Sequence, residues 1–169
     1  MAGFNNKTFL KHDTYMTPKY AWEDIQDYIP SDKVIWEAFY GDGKSGEYLR
    51  ELKFNVIHDK DNFYDYNKGD IVVSNPPFSD YKNILYRLVE LDKPFILILP
   101  SSKINTQTVR NIFKNNYKYL QLIIPKKRIQ FTKIDNGKSK LQNSCNFDCF
   151  YYCYKMNLNK DIIWLDDRD

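Results

Sequence analysis

Ile71-Val72-Val73-Ser74-Asn75-Pro76-Pro77-Phe78 is the stretch from which the fold is read. Ile71 to Ser74 has the apolar, β-branched character of a short buried strand. The two prolines end it, because each fixes φ near about −65° and removes an N–H donor. The strand therefore runs into a rigid turn that keeps the Asn75 amide and the backbone carbonyls as acceptors. Working outward, 34–36, 55–58, 95–99, 120–124, 147–154 and 162–164 also read as strands. Helices are expected from 17 or 18 to 28 (Thr17 as cap, Pro30 as stop), over 47–52, over 80–91 and over 106–114. Ile84, Leu85, Leu88 and Leu91 form a stripe at helical spacing. Strand alternating with helix, then strands without an intervening helix, predicts an α/β fold. Its doubly wound sheet is mostly parallel, with an antiparallel strand near the C-terminal end. Residues 1–13 read as a mobile arm, and 125–146 as one long irregular loop of the kind that is usually functional or mobile.

Composition narrows the class. The 169 residues suit a single domain; 43% are hydrophobic and 28% charged, an ordinary globular balance. No apolar run approaches the roughly 18 residues of a membrane span. The first residues lack the apolar segment of a secretory signal, so an intracellular, cytoplasmic location (the nucleoid or a host cell included) is expected. A net charge of +3 permits a nucleic-acid partner without demanding one. Cys145, Cys149 and Cys153 are spaced by four, which on a strand puts them on one face as small buried residues. That spacing is not a zinc pattern, and no metal is expected. His12 and His58 suggest no role.

In an open parallel sheet, ligands bind beyond the carboxyl ends of the strands. Three strand ends carry informative residues: Glu37-Ala38-Phe39-Tyr40-Gly41-Asp42-Gly43, then Asp59 and Asp61, then Asn75 to Phe78. Glycines at the first let the backbone turn tightly and approach a ligand. Gly43-Lys44-Ser45 is not a Walker A motif, since the position that needs the leading glycine is Ala38. Asp59, ending the second strand, can accept ribose hydroxyls. Lys126, Lys127, Arg128, Lys133, Lys138 and Lys140 crowd one stretch against a single acid, Asp135, and could hold phosphates.

Together these motifs resemble the N6-adenine methyltransferases that use S-adenosylmethionine, in their small phage- or virus-type order. Asn75-Pro76-Pro77-Phe78 is similar to the catalytic motif, Tyr15-Met16-Thr17-Pro18 to the N-terminal cofactor contact, and Trp36 to Gly43 to the glycine motif, with Ala38 where proline is usual. Asp61-Asn62-Phe63 is similar to the segment that approaches the cofactor adenine. Arg128-Ile129-Gln130-Phe131 is similar to a late motif whose aromatic helps hold the extruded base. The resemblance implies a Rossmann-like class I methyltransferase fold over 1–169 as one domain, without a separate target-recognition domain. It implies a catalytic set of Asn75, Pro76, Pro77 and Phe78. The implied cofactor set is Tyr15, Thr17, Glu37, Phe39, Gly41, Gly43, Asp59 and Asp61, for S-adenosyl-L-methionine. Lys126, Lys127, Arg128 and Phe131 are the implied nucleic-acid set. The expected reaction is methyl transfer to adenine N6 in nucleic acid, DNA ahead of RNA. Expected partners are that nucleic acid and, for recognition, a second copy or a separate subunit, with no membrane. The competing readings are an RNA or other amine methyltransferase of the same fold, and a non-catalytic nucleic-acid-binding subunit.

Overall fold

The computed structural model describes residues 15–114, 119–135, 138–141 and 147–166. Its centre is a seven-stranded sheet ordered β10-β6-β9-β5-β4-β2-β3. The strands are β2 (Val34–Trp36), β3 (Asn55–Ile57), β4 (Ile71–Ser74), β5 (Phe95–Pro100), β6 (Leu120–Ile124), β9 (Cys149–Tyr154) and β10 (Ile162–Trp164). All pairings are parallel except those of β9, which runs antiparallel between β5 and β6. This is the mostly parallel sheet, with an antiparallel strand near the C-terminal end, that the alternation predicts, and it agrees with the Rossmann-like fold that the resemblance implies.

Why the sheet is central follows from β5. All six of its residues are buried. Phe95, Leu97 and Leu99 pack into one apolar cluster and Ile96 and Ile98 into another, so both faces are covered. Helix α3 (Tyr81–Glu90) buries Ile84, Leu85 and Leu88 of the expected stripe, together with Tyr81, while Leu91 caps its end and is only half-buried. Helix α4 (Gln107–Phe113) is capped by Thr106, whose side chain accepts from the Val109 amide. On β9, Cys149 and Cys153 are buried thiols on one face with Tyr151; Cys145 lies outside the described residues. No helix among the described residues is long and apolar enough to cross a membrane.

Two expectations are corrected. The segment 125–146 is not one irregular loop, because β7 (Thr132–Asp135) and β8 (Lys138–Leu141) pair within it. Residues 15–16 form β1, which adds antiparallel to β7 with Tyr15 opposite Lys133 and Met16 opposite Thr132. A second, three-stranded sheet results. The signal was the Asn136-Gly137 dipeptide between two short runs, a strong two-residue hairpin signature. The first helix is also shorter than expected. Helix α1 covers Lys19–Glu23 and gives way to a 3-10 turn over Gln26–Tyr28, and no side chain caps it. Thr17 is therefore not spent on a cap. The expected arm, 1–13, lies outside the described residues.

Candidate active site

Strand order reverses at β2, which has β3 on one side and β4 on the other. The crevice at such a reversal is the general ligand site of open α/β sheets. The three strand ends singled out in the sequence meet at this edge. Because β9 is antiparallel, its start lies at the same edge, with Cys149 opposite Pro100 of β5. The residues just before β9 and just after β6 therefore join the same rim.

At the end of β4, the Asn75 amide nitrogen donates to the Tyr15 carbonyl at 3.3 Å. That fixes which way the amide points. Its oxygen is buried and has no hydrogen-bond partner among the described residues. A buried acceptor without a donor costs about 1–3 kcal/mol unless something supplies one. Such a group is a mark of a binding site. The Thr17 hydroxyl is in the same condition. Phe78 is half-buried and meets Phe147 edge-on (5.6 Å between ring centres) and Phe131 likewise (6.1 Å). Phe131 was expected to help hold a base, but it is fully buried. In this arrangement it braces Phe78 and Tyr15 from below and offers no face of its own.

At the end of β2 the chain coils tightly. Gly41 and Gly43 both have positive φ, 58° and 86°. A Cβ on Gly41 would meet the Met16 sulfur at 3.1 Å, and one on Gly43 the Tyr40 hydroxyl at 2.9 Å. Gly43 opens helix α2 (Lys44–Glu51), which starts earlier than expected. Gly46 lies in the first turn of this helix. A Cβ there would lie 2.0 Å from His58 Nδ1, so the helix could not approach β3 so closely. Gly41, Gly43 and Gly46 complete a Gly-x-Gly-x-x-Gly spacing whose third glycine serves helix–strand packing.

Glu37 is 1% exposed. Its Oε1 accepts from the Ser74 hydroxyl and, at 3.1 Å, from the Phe39 amide. Burial pushes its carboxyl up to about 8, against the pull of those two donors. Phe39 stacks obliquely on Phe63, which in turn lies against Trp36. Asp59 and Asp61 share Lys68, whose ammonium sits 2.7 Å from the first and 2.6 Å from the second. Hydrogen bonding from Lys68 holds the Asp59 carboxyl below its usual range. The other Asp59 oxygen accepts from the Asp61 amide. The Tyr64 hydroxyl donates to buried Asp80, which also accepts from Asn83. That contact ties the segment after β3 to the turn after Phe78.

On the far side of the rim, Lys126, Lys127, Arg128, Asp148 and Phe150 help line a cleft of about 160 Å³. Arg128 forks onto Asp148 with two contacts of 2.9 and 3.0 Å. The structure thus brings Tyr15 and Asn75 into direct contact and gathers the remaining expected residues on one edge. It sets Arg128 against an acid that the sequence reading left out. Among the described residues no three His, Cys, Asp or Glu side chains form a metal-ligand cluster.

The family model described as adenine-specific methyltransferase EcoRI matches residues 49–167. The matched stretch takes in Asp59, Asn75 to Phe78 and the 126–131 segment, and begins after the glycine turn. The Type II methyltransferase M.EcoRI of Escherichia coli is 34% identical over 87 residues, 50% of this chain. Those residues span 22% of the length of that relative.

Proposed function

We propose that this chain, which belongs to the adenine-specific methyltransferase EcoRI family, transfers a methyl group from S-adenosylmethionine to the N6 amine of adenine in DNA. The observation that carries the reading is the buried Asn75 oxygen, which has no donor among the described residues and is held outward by the Tyr15 carbonyl just after β4. The adenine amine is a poor nucleophile, because its lone pair is delocalised into the ring. Two acceptors, Asn75 Oδ1 and the Pro76 carbonyl, would take its two N–H groups and draw the nitrogen toward tetrahedral geometry. Positive charge develops on that nitrogen during transfer. Fixed acceptor dipoles therefore act more strongly in the transition state than in the ground state. Pro77 keeps the turn rigid, and Phe78 offers a face on which an extruded base stacks.

The residues at the β2 and β3 ends fit the cofactor. The turn at Gly41 and Gly43 has no room for side chains, and the Thr17 hydroxyl is buried without a partner among the described residues. Thr17, Tyr15, Glu37, Phe39, Gly41 and Gly43 would line its methionine end, with Asp59 on the ribose hydroxyls and Asp61 beside the adenine. When bound, S-adenosylmethionine supplies an electrophilic methyl on sulfur. Asp59→Ala should weaken its binding by one charged hydrogen bond or two, each about 1.5–3 kcal/mol. Calorimetric titration checks this, and unchanged affinity would remove Asp59 from the site.

The direct test is incubation with adenine-containing DNA and cofactor, then mass spectrometry of the digested nucleosides. N6-methylated deoxyadenosine is the expected product. Methylation confined to RNA, or none, would overturn the reading. DNA binding is expected to lean on Lys126, Lys127 and Arg128. Neutralising all three should flatten the log–log salt dependence of affinity by about 2–3 units, close to one per phosphate contact. The lower figure applies if Asp148 keeps Arg128, the higher if a phosphate takes it. An unaltered slope would mean that these cations are only solvated.

A further inference from the structure

Ser74, paired with the cofactor-side Glu37, is the buried polar residue that the proposed chemistry does not use. Both are buried, Ser74 at 0% and Glu37 at 1% exposure. They stand at the ends of neighbouring parallel strands, β4 and β2. The Ser74 hydroxyl donates to Glu37 Oε1, and the next residue along β4 is Asn75. Burying a carboxyl and a hydroxyl in apolar surroundings is costly unless they are paired. A strand of Ile, Val and Val could have ended on an apolar residue at lower cost.

We infer that Ser74 is a positioning residue: it holds Glu37 as an ionisable acceptor for the cationic part of the cofactor, and so couples cofactor affinity at β2 to the strand that carries Asn75. The inference rests on the reading of S-adenosylmethionine as cofactor. The groups on the Glu37 carboxyl are the Ser74 hydroxyl from β4 and the Phe39 amide from its own strand end. Among the described residues no charged side chain contributes to its shift. Both donors favour the carboxylate, while burial favours the neutral acid. A cationic ligand binds the carboxylate better. Its affinity therefore rises with pH as Glu37 ionises and levels off above that point. With the midpoint near the value of about 8 in the unliganded protein, affinity should climb about tenfold between pH 7 and pH 9. Removing the Ser74 donor pushes the midpoint upward and weakens binding at pH 7.

Isothermal titration with S-adenosylmethionine from pH 6.5 to 9.5 tests this, and it needs no turnover. The ligand's own amino group titrates equally in every variant and is subtracted by the comparison. The parent should show the rise, Glu37→Gln should abolish it, and Ser74→Ala should move its midpoint up. Ser74→Thr, which keeps the hydroxyl, should restore the parental midpoint. Ser74→Cys, isosteric with a weaker donor, should fall between and serves if the alanine variant does not fold. S-adenosylhomocysteine, lacking the sulfonium charge, should show a smaller rise. An unchanged midpoint in Ser74→Ala and Ser74→Cys, or a full pH dependence in Glu37→Gln, would overturn the inference while leaving the cofactor reading intact. No binding of S-adenosylmethionine by the parent at any pH would overturn both.

Discussion

Asn75→Ala is expected to lower single-turnover methyl transfer by about 10²–10³-fold, with cofactor affinity largely unchanged. The asymmetry follows from place. Asn75 follows β4 directly, and the bond from its amide nitrogen to the Tyr15 carbonyl turns its oxygen outward. An acceptor aimed at the amine does little for the ground state and much as charge builds on nitrogen. Alanine also leaves the Tyr15 carbonyl without that donor, which adds disorder at β1 to the loss of the acceptor. The measurement is methyl transfer to an adenine-containing oligonucleotide at saturating cofactor, beside a binding titration. Transfer at the parental rate would remove Asn75 from the chemistry.

Gly46→Ala is expected to cost about 3 kcal/mol of stability, at the upper end of overpacking changes. An added Cβ would lie 2.0 Å from His58 Nδ1 and 2.4 Å from its Cγ. The ring cannot swing aside easily, because it is half-buried and stacks on Tyr40 at 4.6 Å. Burial lowers the pKa of His58, and a hydrogen bond with the Tyr40 backbone helps hold the ring in place. For a chain of this size the loss corresponds to roughly 6–12 °C in melting temperature. Combining it with His58→Ala, which removes the two nearest atoms, should recover most of the loss. A Gly46→Ala protein that melts with the parent would show that helix α2 does not depend on this approach.

The legible part of the fold was the part governed by apolar pattern. Ile71–Ser74, Leu120–Ile124 and Ile162–Trp164 are strands with the boundaries read from the sequence, because each is a short apolar run closed by turn chemistry. The small sheet was not legible by that route. Tyr15 and Met16 form a strand only because Lys133 and Thr132 lie opposite, more than a hundred residues away, and a two-residue strand has no period of its own. Its hairpin partner did carry a local signal in Asn136-Gly137, outweighed by the density of lysines around it. The site divides in the same way. Asn75 to Phe78 announces itself through two prolines, and Asp59 through its place at a strand end. Ser74 looks like any strand residue until the fold sets Glu37 beside it. Phe131 shows the reverse case: an aromatic in a suggestive motif whose ring the fold buries beneath Tyr15, Phe78 and Phe147.

An amide is two-sided, an acceptor on one flank and a pair of donors on the other. The Tyr15 carbonyl claims the donor flank of Asn75 from 60 residues upstream. Only the acceptor flank is left for whatever enters. A purine bearing an amine at position six meets it with a proton. A purine bearing a carbonyl there, as guanine and hypoxanthine do, brings lone pair against lone pair and leaves two buried acceptors facing each other. In the proposed reaction, the choice between these bases would thus be set in part by a peptide group in a two-residue strand. The Asn-Pro-Pro-Phe turn alone, without that strand, would leave the amide able to turn over and accept either.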